Sequence, residues 1–182
     1  MRLKILSLLV AGLKNKCYFA VFGGLAVDAY YGRITRFHDD LDLICWREDV
    51  PTIRKELKRL GYKTKLYFHP QEKKLIYKLC TTDKNKTYTF QIADRKGKDN
   101  FKISFWLYAH LIFPIKYLSV KWKQINSVKF PVVTKELLTK LKQKQVEFYM
   151  SKKAVNIEKY LFKQNKNYLK AIHDLKLLLP KS

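Results

Sequence analysis

Acidic side chains are scarce in this sequence: 15 Asp and Glu stand against 38 Lys and Arg, a formal net charge of +23. Such a field repels polycationic partners and attracts polyanions. Cysteine is also rare. Cys17, Cys45 and Cys80 lie far apart, without metal-type spacing, each in an apolar, strand-like stretch. An odd, scattered set excludes a disulfide framework and points to buried thiols in a reducing compartment, the cytoplasm. No internal repeat is visible, and no run is long and apolar enough to cross a bilayer, so no membrane partner is expected. Arg2 and Lys4 before Ile5–Leu13 imitate a secretory leader. The apolar run is short, however, and lacks a small-x-small cleavage site. Leu3, Leu6, Leu9, Val10 and Leu13 fall on one face at helical spacing, which predicts an amphipathic first helix.

What is present is ample apolar material: 47% of residues are hydrophobic, with 12 Tyr and 11 Phe, enough for one well-cored domain. The charge is uneven. Residues 1–62 carry 11 basic and 7 acidic side chains, residues 63–182 carry 27 and 8. Of the basic residues 31 are Lys dispersed among Asn and Ile, so charge alone does not establish a nucleic-acid partner.

Tyr18–Phe22 reads as a buried strand ending at Gly23-Gly24, and Leu25–Tyr31 as a helix stopped by Gly32. Residues 33–39 are polar and irregular, a loop, and Leu41–Trp46 is strand-like. Asp49 and Pro51 start a helix that Gly61 ends. Three β-rich runs follow, Tyr62–Phe68, Leu75–Cys80 and Tyr88–Ala93, the last two pairing as a hairpin. Phe101–Tyr117 is aromatic without a clear period and stays unassigned. Ser119–Ile125 and Val128–Val133 form a second hairpin. Thr134 caps the first of the helices that run to the end, with Val155–Phe162 and Tyr168–Leu179 helical in pattern after it. The expected organisation is α+β: a core over residues 1–133, a mixed β-sheet with flanking helices, then a C-terminal helical segment over residues 134–182.

Chemistry concentrates in residues 22–43. In an extended strand alternate side chains share a face, so Asp40 and Asp42 point one way while Leu41 and Leu43 anchor the other. Adjacent carboxylates repel unless a cation lies between them. Hard oxygen ligands suit Mg²⁺ or Mn²⁺, ions that commonly bridge to phosphates. Gly23-Gly24, at a strand end and a helix start, permits close backbone approach and aims amide groups at an anion. Arg36 and His38, in the intervening loop, are placed to neutralise phosphate charge.

The ordered set Gly23-Gly24-Leu25-Ala26-Val27-Asp28, then Gly32-Arg33-Ile34-Thr35-Arg36-Phe37-His38-Asp39-Asp40-Leu41-Asp42, resembles the polymerase-β-like nucleotidyltransferases. Within them it is similar to the lincosamide and aminoglycoside nucleotidyltransferases. Looser likenesses continue through Leu60-Gly61-Tyr62, the Phe-Pro-Val-Val stretch before the C-terminal helices, and His173-Asp174-Leu175. The resemblance implies the polymerase-β-like core and transfer of AMP, or another NMP, from a nucleoside triphosphate to a hydroxyl of a small molecule or of RNA. It implies Asp40 and Asp42 as ligands of Mg²⁺ (or Mn²⁺), with Gly23, Gly24, Arg36 and His38 against the nucleotide. Asp28 is structural in this reading and braces the loop through Arg33 or Arg36. The family places a third carboxylate on a later strand, for which Thr87–Ala93 is the match and Gln91 the equivalent position. A neutral amide cannot abstract a proton. Asp94 is the candidate for that catalytic role, although strand parity sets it on the opposite face unless the strand end redirects it; Asp83, in the preceding turn, is a weaker substitute. The alternative is a nucleotide- or RNA-binding member of the same fold with weakened or lost turnover.

Overall fold

The computed structural model describes residues 2–69, 72, 75–83, 86–105, 109–153 and 161–179. Helix α1 (Arg2–Leu13) buries Leu6, Leu9 and Leu13, the predicted apolar face. Strand β1 (Phe19–Phe22) is buried along its length and runs into helix α2 (Gly23–Tyr31), which Gly32 ends in a left-handed conformation. After the loop come β2 (Asp40–Trp46) and α3 (Val50–Arg59), with Pro51 in the first turn of the helix as its fixed φ favours. Strands β3 (Thr64–Phe68), β4 (Ile76–Asp83) and β5 (Lys86–Lys96) form a meander.

The unassigned aromatic stretch resolves into β6 (Asn100–Phe105) and β7 (Ala109–Pro114), an antiparallel pair, and a short 3₁₀ turn at Ile115–Leu118. Strands β8 (Lys121–Ile125) and β9 (Val128–Val132) make the expected second hairpin, turning at Asn126. Thr134 accepts a hydrogen bond from the Leu137 amide at 3.3 Å, capping α4 (Lys135–Lys153) as its hydroxyl predicts. Helix α5 (Leu161–Leu178) follows; the helical reading of Val155–Phe162 lies mostly outside the described residues.

Among the described residues the strands form one mixed sheet in the order β3-β4-β5-β2-β1-β9-β8, with β6 and β7 continuing from the far end of β5. β2 lies between β1, antiparallel to it, and β5, parallel to it. That central position is what the apolar run Leu41, Leu43, Ile44 and Cys45 demands, for a strand covered on both faces cannot afford polar side chains along most of its length. Leu137, Leu138 and Leu178 from the C-terminal helices join the same apolar core as α1, α2 and the sheet. Cys45 and Cys80 are buried free thiols and Cys17 is half-buried. No helix among the described residues is long and apolar enough to cross a membrane.

Candidate functional site

The polar end of β2 opens a cleft of about 460 Å³ at the start of α2, walled by β4, β5, β7, α4 and α5. Along β2 the exposure alternates as the strand period requires: Asp40 is exposed, Leu41 buried, Asp42 half-buried and Leu43 buried. Both carboxylates line the cleft together with Gly23.

The glycine turn and the carboxylates fit against each other closely. Gly23 has φ +73°, and a Cβ there would lie 2.7 Å from Asp42 Oδ2. A side chain at this position would be strained and would fill the space the carboxylate occupies. At Gly24 an added Cβ would fall 2.2 Å from Arg36 Nη2 and 2.8 Å from the His38 ring. The two glycines thus let the first turn of α2 approach the loop and β2 at backbone distance. Gly23, which opens α2, lines the end of the cleft where the carboxylates sit, and a helix start carries positive partial charge.

The Asp42 carboxyl is pushed up to about 7, first by burial and then by the Asp40 carboxylate, against the pull of Lys142, Lys78 and Arg36. Two carboxylates sharing one face at the edge of an apolar core are a destabilised pair that a divalent cation relieves. The donor set, hard oxygens only, fits Mg²⁺ or Mn²⁺.

The loop residues behave differently from expectation. His38 is buried and its Nε2 lies 2.6 Å from Asp28 Oδ2, while the Thr35 hydroxyl donates to Asp28 Oδ1 at 2.5 Å. Asp28 therefore braces the loop, but through Thr35 and His38; Arg33 packs over the Tyr31 ring and Arg36 turns elsewhere. A fully buried carboxylate needs several donors, and the loop's hydroxyl and imidazole are the nearest. His38 is directed into this interior pair and is not among the cleft-lining side chains. Arg36 donates from Nε and Nη2 to both carboxylate oxygens of Asp174 on α5, at 3.1 and 2.9 Å. Lys142 of α4, which lines the cleft, reaches the same carboxylate at 2.7 Å. Burial pushes the Asp174 carboxyl up, but the hydrogen bonds from Arg36 and Lys142 outweigh it and hold the group below its ordinary value.

Strand β5 carries the expected third position. Thr89 pairs in register with Asp42, and Gln91 follows on the same face; both line the cleft. The Gln91 amide is 4% exposed and donates to the carbonyls of Tyr77 and Ser104, at 2.9 and 2.5 Å, so it ties β4 to β6 behind the cleft wall. Asp94 is not brought to the cleft with Asp40 and Asp42. It lies three residues on, and its carboxylate is held by Arg47, from Nε and, at 2.8 Å, from Nη2. Parity, unrelieved at this end of the strand, is the reason. Asp83 ends β4, and its side chain lies outside the described residues.

Sequence reasoning overlooked Lys78 and Lys142, and noted Asp174 only within a loose family likeness, without a role. A signal existed for the last: Asp174 is the lone carboxylate of α5, a helix otherwise rich in lysine.

A family model for aminoglycoside-2''-adenylyltransferase matches residues 4–88. No curated protein matches the chain by sequence. Among solved structures, the lincosamide antibiotic adenylyltransferase LnuA, lincomycin-bound, superposes with a TM-score of 0.54 at 14% identity, covering 93% of this chain and 92% of that one. ANT(2'')-Ia in complex with adenylyl-2''-tobramycin gives 0.56 at 16%, covering 97% and 94%. A Thermotoga maritima protein assigned to the nucleotidyltransferases gives 0.61 at 14%, covering 84% and 89%. Over residues 4–88 the chain is similar in sequence to the aminoglycoside-2''-adenylyltransferase family, and over nearly all its length it shares the fold of these nucleotidyltransferase structures.

Proposed function

We propose that the protein is a divalent-metal-dependent nucleotidyltransferase that moves AMP from ATP to a hydroxyl of a small molecule, releasing pyrophosphate. The observation that carries this reading is the contact between the Gly23 turn and Asp42, with Asp40 on the same face of β2. An anion-accepting helix start and a cation-demanding carboxylate pair stand side by side, as an ion-bound triphosphate requires. Asp40 and Asp42 would hold the ion, Mg²⁺ or Mn²⁺, which when bound supplies charge neutralisation for the phosphates. Gly23 and Gly24 present amide groups to the triphosphate. Lys142, with Arg36 behind it, adds positive charge at the same end, while Asp174 fixes the direction of both cations.

In the reaction the acceptor oxygen bonds to the α-phosphorus as the bond to pyrophosphate breaks. Such transfer depends chiefly on alignment and charge stabilisation. Gln91 cannot take the acceptor's proton, which in this reading passes to solvent water.

Lys78, Lys142 and Lys144 line the cleft, and this favours an acceptor of little positive charge. Of the antibiotics in the similar structures, lincomycin fits that requirement better than the polycation tobramycin. Incubating the protein with each labelled nucleoside triphosphate, Mg²⁺ and a panel of hydroxylated acceptors tests the proposal. Label transferred to a low-charge small acceptor, with pyrophosphate released, is the expected result. Label on RNA alone would replace the acceptor; tight nucleotide binding without transfer to any acceptor would replace enzyme with binding protein.

A further inference from the structure

We propose that His69, Glu72 and His110 form a second cation site, for zinc or a similar first-row transition ion, separate from the carboxylate cleft. His69 stands just past the end of β3, Glu72 in the connection to β4, and His110 on β7. The fold brings these distant segments together so that one ligand atom from each lies within 4.8 Å of the others. The two imidazole rings stack at 4.9 Å, 27° from parallel, and His69 is 5% exposed. The Glu72 carboxylate meets His110 Nε2.

Several details separate this arrangement from an ordinary surface ion pair. An exposed Glu–His pair needs two partners and fixes little. Here a third, buried imidazole converges on the same point. The backbone also holds the connection in place: the His69 amide donates to the Leu75 carbonyl at 2.8 Å, and the Leu75 amide to the Glu72 carbonyl at 2.7 Å. His110 Nδ1 lies 2.6 Å from the Ser104 hydroxyl, and Ser104 is 2% exposed. That contact orients the ring, with Nδ1 toward the hydroxyl and Nε2 toward Glu72. A hydrogen-bonded outer nitrogen is the usual arrangement of a metal-binding histidine. Two nitrogens and one carboxylate oxygen suit zinc and poorly suit Mg²⁺, which takes oxygen donors. Three protein ligands leave a fourth tetrahedral position for water.

The place of the site gives it a role. Leu111, next to His110, lines the cleft, and Ser104, which bonds His110, accepts a hydrogen bond from Gln91 through its carbonyl. An ion held here clamps the β3–β4 connection to β7 and so stiffens the wall behind the acceptor end of the cleft.

The test is a calorimetric titration of the full chain with ZnCl₂, with CoCl₂ as the spectroscopic probe. It uses the Asp40→Asn/Asp42→Asn double variant, so that the cleft does not compete and the result stands apart from the nucleotidyl-transfer reading. One equivalent should bind, the cobalt form should show the visible bands of tetrahedral coordination, and adding His110→Ala should weaken binding about tenfold or more. Glu72 is exposed, so Glu72→Ala leaves folding intact and decides the matter if His110→Ala does not fold. Absence of one-equivalent binding, or zinc affinity unchanged by Glu72→Ala, overturns the proposal.

Discussion

Replacing Asp42 by Asn removes a charge that the apo protein holds at a cost. Its carboxyl rises from 3.8 to about 7, through burial first and the Asp40 carboxylate second. At about 1.4 kcal/mol per unit this amounts to roughly 4 kcal/mol, and partial solvation of a half-buried group reduces it to about 2–4 kcal/mol. A carboxyl raised on folding contributes stability below the unfolded value near 4, and loses it as pH climbs through 7. Asn copies the neutral acid. The variant and the parent should therefore match at pH 4. At pH 8 to 9 in EDTA the variant should be more stable, by about 5–15 °C in Tm for a chain of this size. Saturating Mg²⁺ should close most of that gap by stabilising the parent alone, about 2.7 kcal/mol at a hundredfold excess over Kd. The assay is thermal and urea denaturation from pH 4 to 9, with and without the ion. A variant equal to the parent or less stable at pH 8, or a gap that Mg²⁺ leaves untouched, refutes the reasoning.

Asp174→Asn leaves Arg36 and Lys142 without their shared partner and should cost about 3 kcal/mol in urea denaturation at pH 7. Because the Asp174 carboxyl is held low, that difference should vanish as pH falls below the ordinary carboxylate range. Gly23→Ala meets both a positive φ and the Asp42 carboxylate, so it should lower stability by about 1–3 kcal/mol and weaken ATP binding in a fluorescence titration. Gln91→Glu does not restore a working third carboxylate: it turns an acceptor toward the Tyr77 and Ser104 carbonyls and should destabilise by about 1–3 kcal/mol without raising transfer rate.

Much of the candidate site's geometry was legible because local rules suffice for it. The alternation of Asp40 and Asp42 with Leu41 and Leu43 needs nothing beyond the strand period, and Gly23-Gly24 needs nothing beyond its place between a strand and a helix. Parity also argued against Asp94, and the Arg47 pair bears the parity out. What escaped were pairings across long sequence separations. Arg36 and Asp174 stand 138 positions apart, so local pattern could not match them, and an arginine in a phosphate-facing loop read as a phosphate ligand. His38 has a partner nearer in sequence: Asp28 is buried, and its carboxylate draws the imidazole inward. Strands β6 and β7 were illegible because their aromatic and aliphatic residues carry no clean period-2 alternation. Their hairpin shows only once β5 supplies an edge for Ile103 and Phe101 to pair against.

Equilibrium binding of ATP with and without Mn²⁺, in the parent and in the Asp40→Asn/Asp42→Asn variant, bears on the central claim most directly. The account predicts that Mn²⁺ tightens ATP binding to the parent by about tenfold or more, and that the folded double variant loses this enhancement. Equal ATP affinity in the two proteins, with the same dependence on Mn²⁺, would contradict it.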